Sequence, residues 1–160
     1  MFEKQTRLQS LFYVINKKLT AYHNCDTFYV MDRNDCVIYK GKFFQIEWFY
    51  TEKGESQPYD YYKACDVIQQ RKFLMLCQRM GDFGKILDKT KFRSEGDDFY
   101  AFKPQPDRYL CFFKKGKKII VTNAYMKKGD KLPKSEKLIA TTCRTDYLRR
   151  FPDDKEEDEK

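Results

Sequence analysis

The sequence contains a single histidine, His23, among its 160 residues. Catalytic zinc sites, Ser-His-Asp triads and two-histidine ribonuclease sites all place histidine at the reacting centre. The sequence therefore argues against these three classes of enzyme, and His23 itself is more typical of a structural histidine.

Other sequence patterns that carry chemistry are also missing. The six cysteines form no CxxC pair, and the chain has no GxxxxGK[ST], GxGxxG or GxSxG motif. These absences argue against a zinc site, a phosphate loop, a dinucleotide site and a serine-hydrolase elbow. We expect neither a metal nor a cofactor.

Long hydrophobic runs are missing as well. The first apolar run, residues 11–15, is too short for a signal peptide or a membrane span. The free-cysteine pattern fits a reducing compartment. We expect a cytoplasmic protein with no membrane partner.

Positive charge is abundant and unevenly distributed. The net charge is +8, but residues 99–151 alone hold 14 Lys and Arg against 4 Asp and Glu. A basic face of this kind is typical of a partner with a phosphate backbone, although a solvated lysine-rich surface is the plainer alternative. The tail, residues 152–160, carries a net charge of −4 and is expected to be disordered.

Apolar spacing predicts a helix over residues 3–22, followed by short strands at 28–31 and 37–39. The helical stripe is expected to pack against the chain's own domain and comprises Leu8, Leu11, Phe12, Ile15 and Leu19. Further along, the pattern predicts a strand at 43–50, a short helix at 59–65, a helix from Asp66 to Met80 that ends at Gly81 and Gly84, and a polar loop at 85–97.

Three closely spaced strands are predicted next, at residues 99–103, 108–114 and 118–126, the last two as a hairpin. A basic loop at 127–133 leads to a final helix whose buried stripe should comprise Leu138, Ile139, Cys143 and Tyr147. The order predicts an α+β fold in which helices pack on one face of a mostly antiparallel sheet of about four strands.

The last three strands are rich in lysine, arginine and tyrosine. RNA cleavage can proceed with these residue types alone, because the ribose 2′-OH is a built-in nucleophile. A lysine among other cations has a lowered pKa and can act as a base, while arginine stays protonated and binds phosphate. The same residues could also simply bind a phosphate backbone.

Five fragments of the sequence, taken in order, resemble the RelE/HigB toxins of the RelE/ParE superfamily, in its HigB/Gp49-like branch. They are residues 43–50, 79–84, 98–103, 107–113 and 119–128, the last followed by Lys131, Pro133, Glu136 and Ala140. The resemblance implies a RelE-like toxin domain at 43–151, preceded by a helical extension at 1–42 and followed by the acidic tail.

The resemblance also implies a function: the toxin of a toxin–antitoxin system, a metal-independent endoribonuclease that cleaves mRNA on the ribosome. A cognate antitoxin, of helix-turn-helix type, would be its protein partner. The implied catalytic residues are Lys103, Arg108, Lys127 and Lys128, and the RNA-binding residues are Lys114, Lys118, Tyr125, Lys131 and Lys134. The alternatives are a ParE-like inhibitor of DNA gyrase and a non-catalytic RNA-binding or regulatory module.

Overall fold

The computed structural model describes residues 33–153, so the predicted helix at 3–22, the strand at 28–31 and most of the acidic tail lie outside the described residues. The described elements are a 3₁₀ turn (Arg33–Cys36), β1 (Val37–Lys40), β2 (Gln45–Trp48), α1 (Gln57–Ala64), α2 (Val67–Phe83), β3 (Phe92–Gly96), β4 (Phe99–Phe102), β5 (Asp107–Lys114), β6 (Lys118–Met126) and α3 (Lys134–Arg150).

The strands form one six-stranded sheet in the order β1-β2-β6-β5-β4-β3. Neighbouring strands are antiparallel except β2 and β6, which are parallel. The α+β class and the mostly antiparallel sheet are thus confirmed, whereas the prediction of about four strands is wrong. The sheet is wider because β1 and β3, both short, are added at its two edges.

Strand β3 occupies part of the segment predicted as a polar loop. Phe92 is buried, whereas Arg93 and Ser94 are exposed, as expected of an edge strand that covers the core with few side chains. The hairpin to β4 turns at Asp97 and Asp98, both with positive φ. Such a strand lacks the hydrophobic alternation by which strands are recognised in sequence.

Helices cover both faces of the sheet, which corrects the expectation of a single covered face. On one face, Phe73 of α2 stacks on Tyr109 of β5 at 3.9 Å between ring centroids and also contacts Trp48 of β2. On the other face, Tyr147 of α3 contacts Phe112 of β5 at 5.8 Å. Alternate residues of β5 therefore face different helices, which makes β5 buried on both sides.

Helix α2 begins where the sequence predicts and extends slightly further than predicted. The Asp66 carboxylate accepts the backbone N–H of Gln69 at 2.8 Å, so the predicted cap is confirmed. The helix passes through Gly81 and ends at Gly84, whose φ of +73° gives the left-handed cap. Gly81 serves close packing rather than termination.

Helix α3 turns a different face to the sheet from the one predicted. Ala140 and Tyr147 are buried and Cys143 is half-buried, but Leu138 and Ile139 are exposed by 68% and 42%. The cause is a contact at the start of the helix, where the Asn123 side chain of β6 donates to the Glu136 carboxylate at 2.8 Å. With Glu136 held over the sheet, small Ala140 faces it one turn later and Leu138 faces away.

The β5–β6 hairpin contains an irregularity that determines which face of the sheet the predicted site residue Tyr125 occupies. Leu110 pairs with Asn123, whereas Cys111 pairs with Val121, so Thr122 is an extra residue in β6. Beyond this bulge, Asn123 and Tyr125 share the α3 face of the sheet with Leu110 and Arg108. Ile120 and Tyr125 are five positions apart on either side of the bulge. In a regular strand, whose side chains alternate between the two faces, they would lie on opposite faces of the sheet.

We predict that Gly41→Ala strongly destabilises the fold. A Cβ at Gly41 would lie 2.1 Å from the backbone carbonyl carbon of Gly81, and backbone cannot move aside as a flexible side chain can. We expect a loss of roughly 3 kcal/mol or more of unfolding free energy, measured by denaturant titration. Gly129→Ala is the matched control because a Cβ there meets nothing within 4 Å. Equal stability of the two variants would contradict the predicted clash.

Candidate functional site

A cleft of about 250 Å³ lies on the α3 face of the sheet, beside the ends of strands β3 to β6 and the loop that follows β6. The residues around it include five cations, two acids and one tyrosine. They are Arg93, Glu95, Lys103, Arg108, Tyr125, Lys127, Gly129, Asp130, Lys131 and Leu132. The cleft therefore combines positive charge with an aromatic ring in one concave site.

Arg108 forms the most firmly held cation of the cleft. Its residue is only 5% exposed. The guanidinium donates to the Gln105 side-chain oxygen at 3.1 and 3.2 Å and to the Asp107 carbonyl oxygen at 2.8 Å. These neutral acceptors orient the group without cancelling its charge, which leaves it able to bind an anion.

Lys103 lies just beyond β4 and is 7% exposed. Its ammonium group donates to the Lys89 carbonyl oxygen at 3.2 Å. Burial lowers the pKa of Lys103, and the nearby cations Arg93 and Arg108 lower it further. A lysine in this setting loses its proton more readily than a lysine in water.

Arg93 and Glu95 were missed by sequence reasoning because their segment was predicted to be a loop. In the structure both side chains face the cleft from β3, and Arg93 donates to the Glu95 carboxylate at 3.2 Å. Arg93 also pairs in register with Ala101 of β4. The alternation of charged residues at 93 and 95 is the signal that could have indicated a strand with one functional face.

Tyr125 lies directly opposite Arg108 in the β5–β6 ladder. Burial raises the pKa of Tyr125, and the charge of Glu95 adds to this effect, while Arg108 opposes it. Like other tyrosines, Tyr125 carries its phenol proton at neutral pH and can donate a hydrogen bond. Its partly exposed ring is also available to stack on a base.

The loop after β6 contributes further cations to the cleft. Lys127 and Lys131 both line it, and Lys127 forms an ion pair with Asp130 at 3.3 Å. Lys128 and Lys134 are exposed and do not line the cleft. The structure thus brings Lys103, Arg108 and Lys127 of the predicted catalytic set together, but not Lys128.

The predicted RNA-binding residues are divided between two ends of the sheet. Tyr125 and Lys131 are in the cleft, whereas Lys114 and Lys118 pair with each other at the far end of the β5–β6 ladder. Lys118 forms an ion pair with Glu47 at 3.1 Å. Lys114 lies 3.8 Å from the Asp153 carboxylate.

Between residues 33 and 153, no group of three or more His, Cys, Asp and Glu side chains could hold a metal ion. None of the helices in this part of the chain is both long enough and apolar enough to cross a membrane.

Comparison with known proteins gives one family match. The family model described as "Phage derived protein Gp49-like (DUF891)" matches residues 60–145, more than half of the chain. The matched segment includes α2, strands β3 to β6 and most of α3. No curated protein matches the chain.

We predict that Arg93→Gln raises the pKa of Lys103. The substitution removes a neighbouring positive charge that lowers this pKa, and it frees the Glu95 carboxylate, which raises it. The titration can be followed by NMR of the lysine side-chain resonances, with exposed Lys53 as an internal control. An unchanged or lower pKa of Lys103 in the variant would show that Arg93 does not act on this group.

Proposed function

The chain belongs to the phage-derived Gp49-like family, within the RelE/HigB-like toxin superfamily, and on this premise we propose that it is an mRNA-cleaving toxin. It would act on the ribosome, with a cognate antitoxin, of helix-turn-helix type, as its protein partner. The observation that carries the proposal is the cleft, where two nearly buried cations, Lys103 and Arg108, lie beside Tyr125.

The proposed reaction needs only groups that the cleft contains. The ribose 2′-oxygen attacks the adjacent phosphorus and loses its proton, a 2′,3′-cyclic phosphate forms, and the bond from phosphorus to the 5′-oxygen breaks. The departing 5′-oxygen then takes up a proton. The enzyme must therefore hold the phosphate, accept one proton and donate another.

We assign these three tasks to three residues. Arg108, preoriented by Gln105, neutralises the negative charge that grows on the phosphate oxygens. Lys103 in its neutral form accepts the 2′-proton, since its lowered pKa makes that form more accessible. Tyr125, which lies opposite Arg108 and carries its phenol proton at neutral pH, donates that proton to the 5′-oxygen.

The remaining cleft residues support binding. Lys127 and Lys131 contribute attraction for neighbouring phosphates, and the Tyr125 ring can stack on a base. Glu95 is a positioning residue, because its carboxylate holds the Arg93 guanidinium at the cleft edge. Lys128 and Lys134, both exposed, are proposed only as outer contacts to RNA.

We predict that Arg108→Ala and Lys103→Ala each abolish growth inhibition when the protein is expressed in a bacterial host. Loss of one such transition-state contact costs roughly 3 kcal/mol, on the order of a hundredfold in rate. Lys72→Ala, at an exposed position on α2 outside the cleft, is the control and should stay toxic. Thermal melting of each purified variant shows whether it is folded.

Full toxicity in both folded variants would end the cleft assignment. It would favour the ParE-like alternative, in which gyrase is inhibited and nothing is cleaved. Toxicity lost in the variants, with the same mRNA cleavage pattern in cells that express the wild-type protein and in cells that express the variants, would instead favour the non-catalytic RNA-binding alternative.

We also predict that chelators leave cleavage unaffected, because the protein's own side chains are proposed to perform both proton transfers and to neutralise the phosphate. Cleavage of ribosome-bound mRNA should proceed in EDTA once polyamines replace Mg²⁺ in keeping the ribosomes intact. Loss of cleavage that only a divalent metal restores, with intact ribosomes in both samples, would overturn the metal-independent reaction.

A further inference from the structure

The cleft contains a mostly buried carboxylate, that of Glu95, which takes part in neither proton transfer of the proposed reaction. Only 10% of its side chain is exposed, whereas Asp130, the other acid that lines the cleft within residues 33–153, has a fully exposed side chain. Arg93 donates to the Glu95 oxygens at 3.2 to 3.4 Å. A carboxylate has about four lone-pair sites, so Glu95 has the capacity to accept further donors from a ligand.

Glu95 lies close to the residues that have a role in the proposed reaction. Burial lowers the pKa of Lys103 and of Arg108, and the negative charge of Glu95 opposes both shifts. Burial raises the pKa of Tyr125, and the charge of Glu95 adds to that shift. Charge effects of this kind are appreciable only between neighbouring groups. A nucleotide bound to these residues is therefore within reach of Glu95.

The order of the strands gives a bound RNA strand a direction across the cleft. Strands β3, β4, β5 and β6 lie side by side and carry, in that order, Glu95, Lys103 just after β4, Arg108 and Tyr125. In the proposed reaction Arg108 holds the phosphate, Lys103 meets the 2′-oxygen and Tyr125 meets the departing 5′-oxygen. The nucleoside that carries the 2′-oxygen therefore lies on the Lys103 side, and its base lies towards β3 and Glu95.

The chemistry of a carboxylate distinguishes the bases. A carboxylate only accepts hydrogen bonds, so two adjacent donors match it best. The Watson–Crick edge of guanine presents two adjacent donors, N1–H and the N2 amino group, whereas adenine, cytosine and uracil each present one donor beside an acceptor. Guanine also presents its O6 acceptor next to N1, where Arg93 can donate to it. The Arg93–Glu95 pair is therefore complementary to guanine.

We propose that Glu95 binds the Watson–Crick edge of a guanine, and that this guanine belongs to the nucleotide on the 5′ side of the bond to be cut. The direction rests on the proposed function, because it follows from the roles of Lys103 and Tyr125. The choice of guanine follows from the carboxylate and its arginine neighbour. Partial burial strengthens the contact, since a hydrogen bond to a charged group is stronger where water is excluded.

The test is an NMR titration of the full chain with the ribonucleoside 3′-monophosphates of guanine, adenine, cytosine and uracil. These nucleotides cannot be cleaved, because they lack the bond from phosphorus to a 5′-oxygen, and Arg108 can hold their phosphate. We expect the guanine nucleotide to bind about tenfold more tightly than the other three. In the 5′-monophosphates the base lies on the opposite side of the phosphate, so these should show no preference for guanine.

Glu95→Gln removes the proposed contact. Glutamine keeps an oxygen for Arg93 but replaces one acceptor with a donor, so it no longer matches guanine. We expect the preference for the guanine 3′-monophosphate to disappear. Asp130→Asn is the matched control, because it removes the same charge from the other acid beside the cleft, and it should keep the preference. The amide spectrum of each variant shows whether it is folded.

Equal binding of all four 3′-monophosphates by the wild-type chain, or no binding of any of them, would overturn the proposal. A preference for guanine that survives in folded Glu95→Gln, or that is lost equally in Asp130→Asn, would overturn the role of Glu95. A preference for guanine among the 5′-monophosphates alone would contradict the assigned direction. This comparison of 3′ and 5′ nucleotides uses the unchanged chain, so it decides the direction even if Glu95→Gln does not fold.

The titrations involve no cleavage, so their outcome is separate from that of the toxicity test. If Arg108→Ala and Lys103→Ala remain toxic while the wild-type chain prefers the guanine 3′-monophosphate, the nuclease assignment fails and the guanine contact stands. If those variants lose toxicity while the four 3′-monophosphates bind equally, the guanine contact fails and the nuclease assignment stands.

Discussion

The antiparallel ladder between β5 and β6 is the constraint on which the rest of the structure depends. It is the longest pairing in the sheet and fixes both ends of the two strands, with Arg108 opposite Tyr125 at one end and Lys114 opposite Lys118 at the other. Because β5 is buried on both faces, a change of register would expose core residues such as Tyr109 and Leu110. The cleft geometry is therefore fixed by the same contacts that form the core.

The helices hold this ladder in place through polar contacts as well as packing. On one side, the Gln57 amide of α1 pairs with both backbone groups of Ala124, at 2.8 Å each, where β2 no longer covers the edge of β6. On the other side, Asn123 donates to Glu136 of α3. These contacts satisfy the backbone groups at the edge of β6 next to Tyr125 and so hold the end of the strand in place.

The cleft is positively charged, and its cations are held in place by hydrogen bonds and ion pairs to neighbouring groups. Arg108 is held by neutral oxygens, Arg93 by Glu95, and Lys127 by the exposed Asp130. Lys103 has only a carbonyl partner among the contacts described, and burial next to two arginines lowers its pKa. These cations repel one another, and an anion bound between them would relieve that repulsion, in keeping with the proposed function.

The sequence alone determined much of the local structure: the Asp66 cap, the β5–β6 hairpin and the placement of Lys103, Arg108 and Lys127 near strand ends follow from short-range patterns. It could not reveal β3, because an edge strand buries little, nor the exposed positions of Leu138 and Ile139, because the rotation of α3 depends on its contact with Asn123. Only the tertiary structure brought Arg93 and Glu95 to the cleft and, through the bulge at Thr122, turned Tyr125 to the face of Arg108. Short-range sequence patterns determine where helices and strands begin and end. Which face of the sheet a side chain occupies depends on pairing between segments that are distant in the sequence.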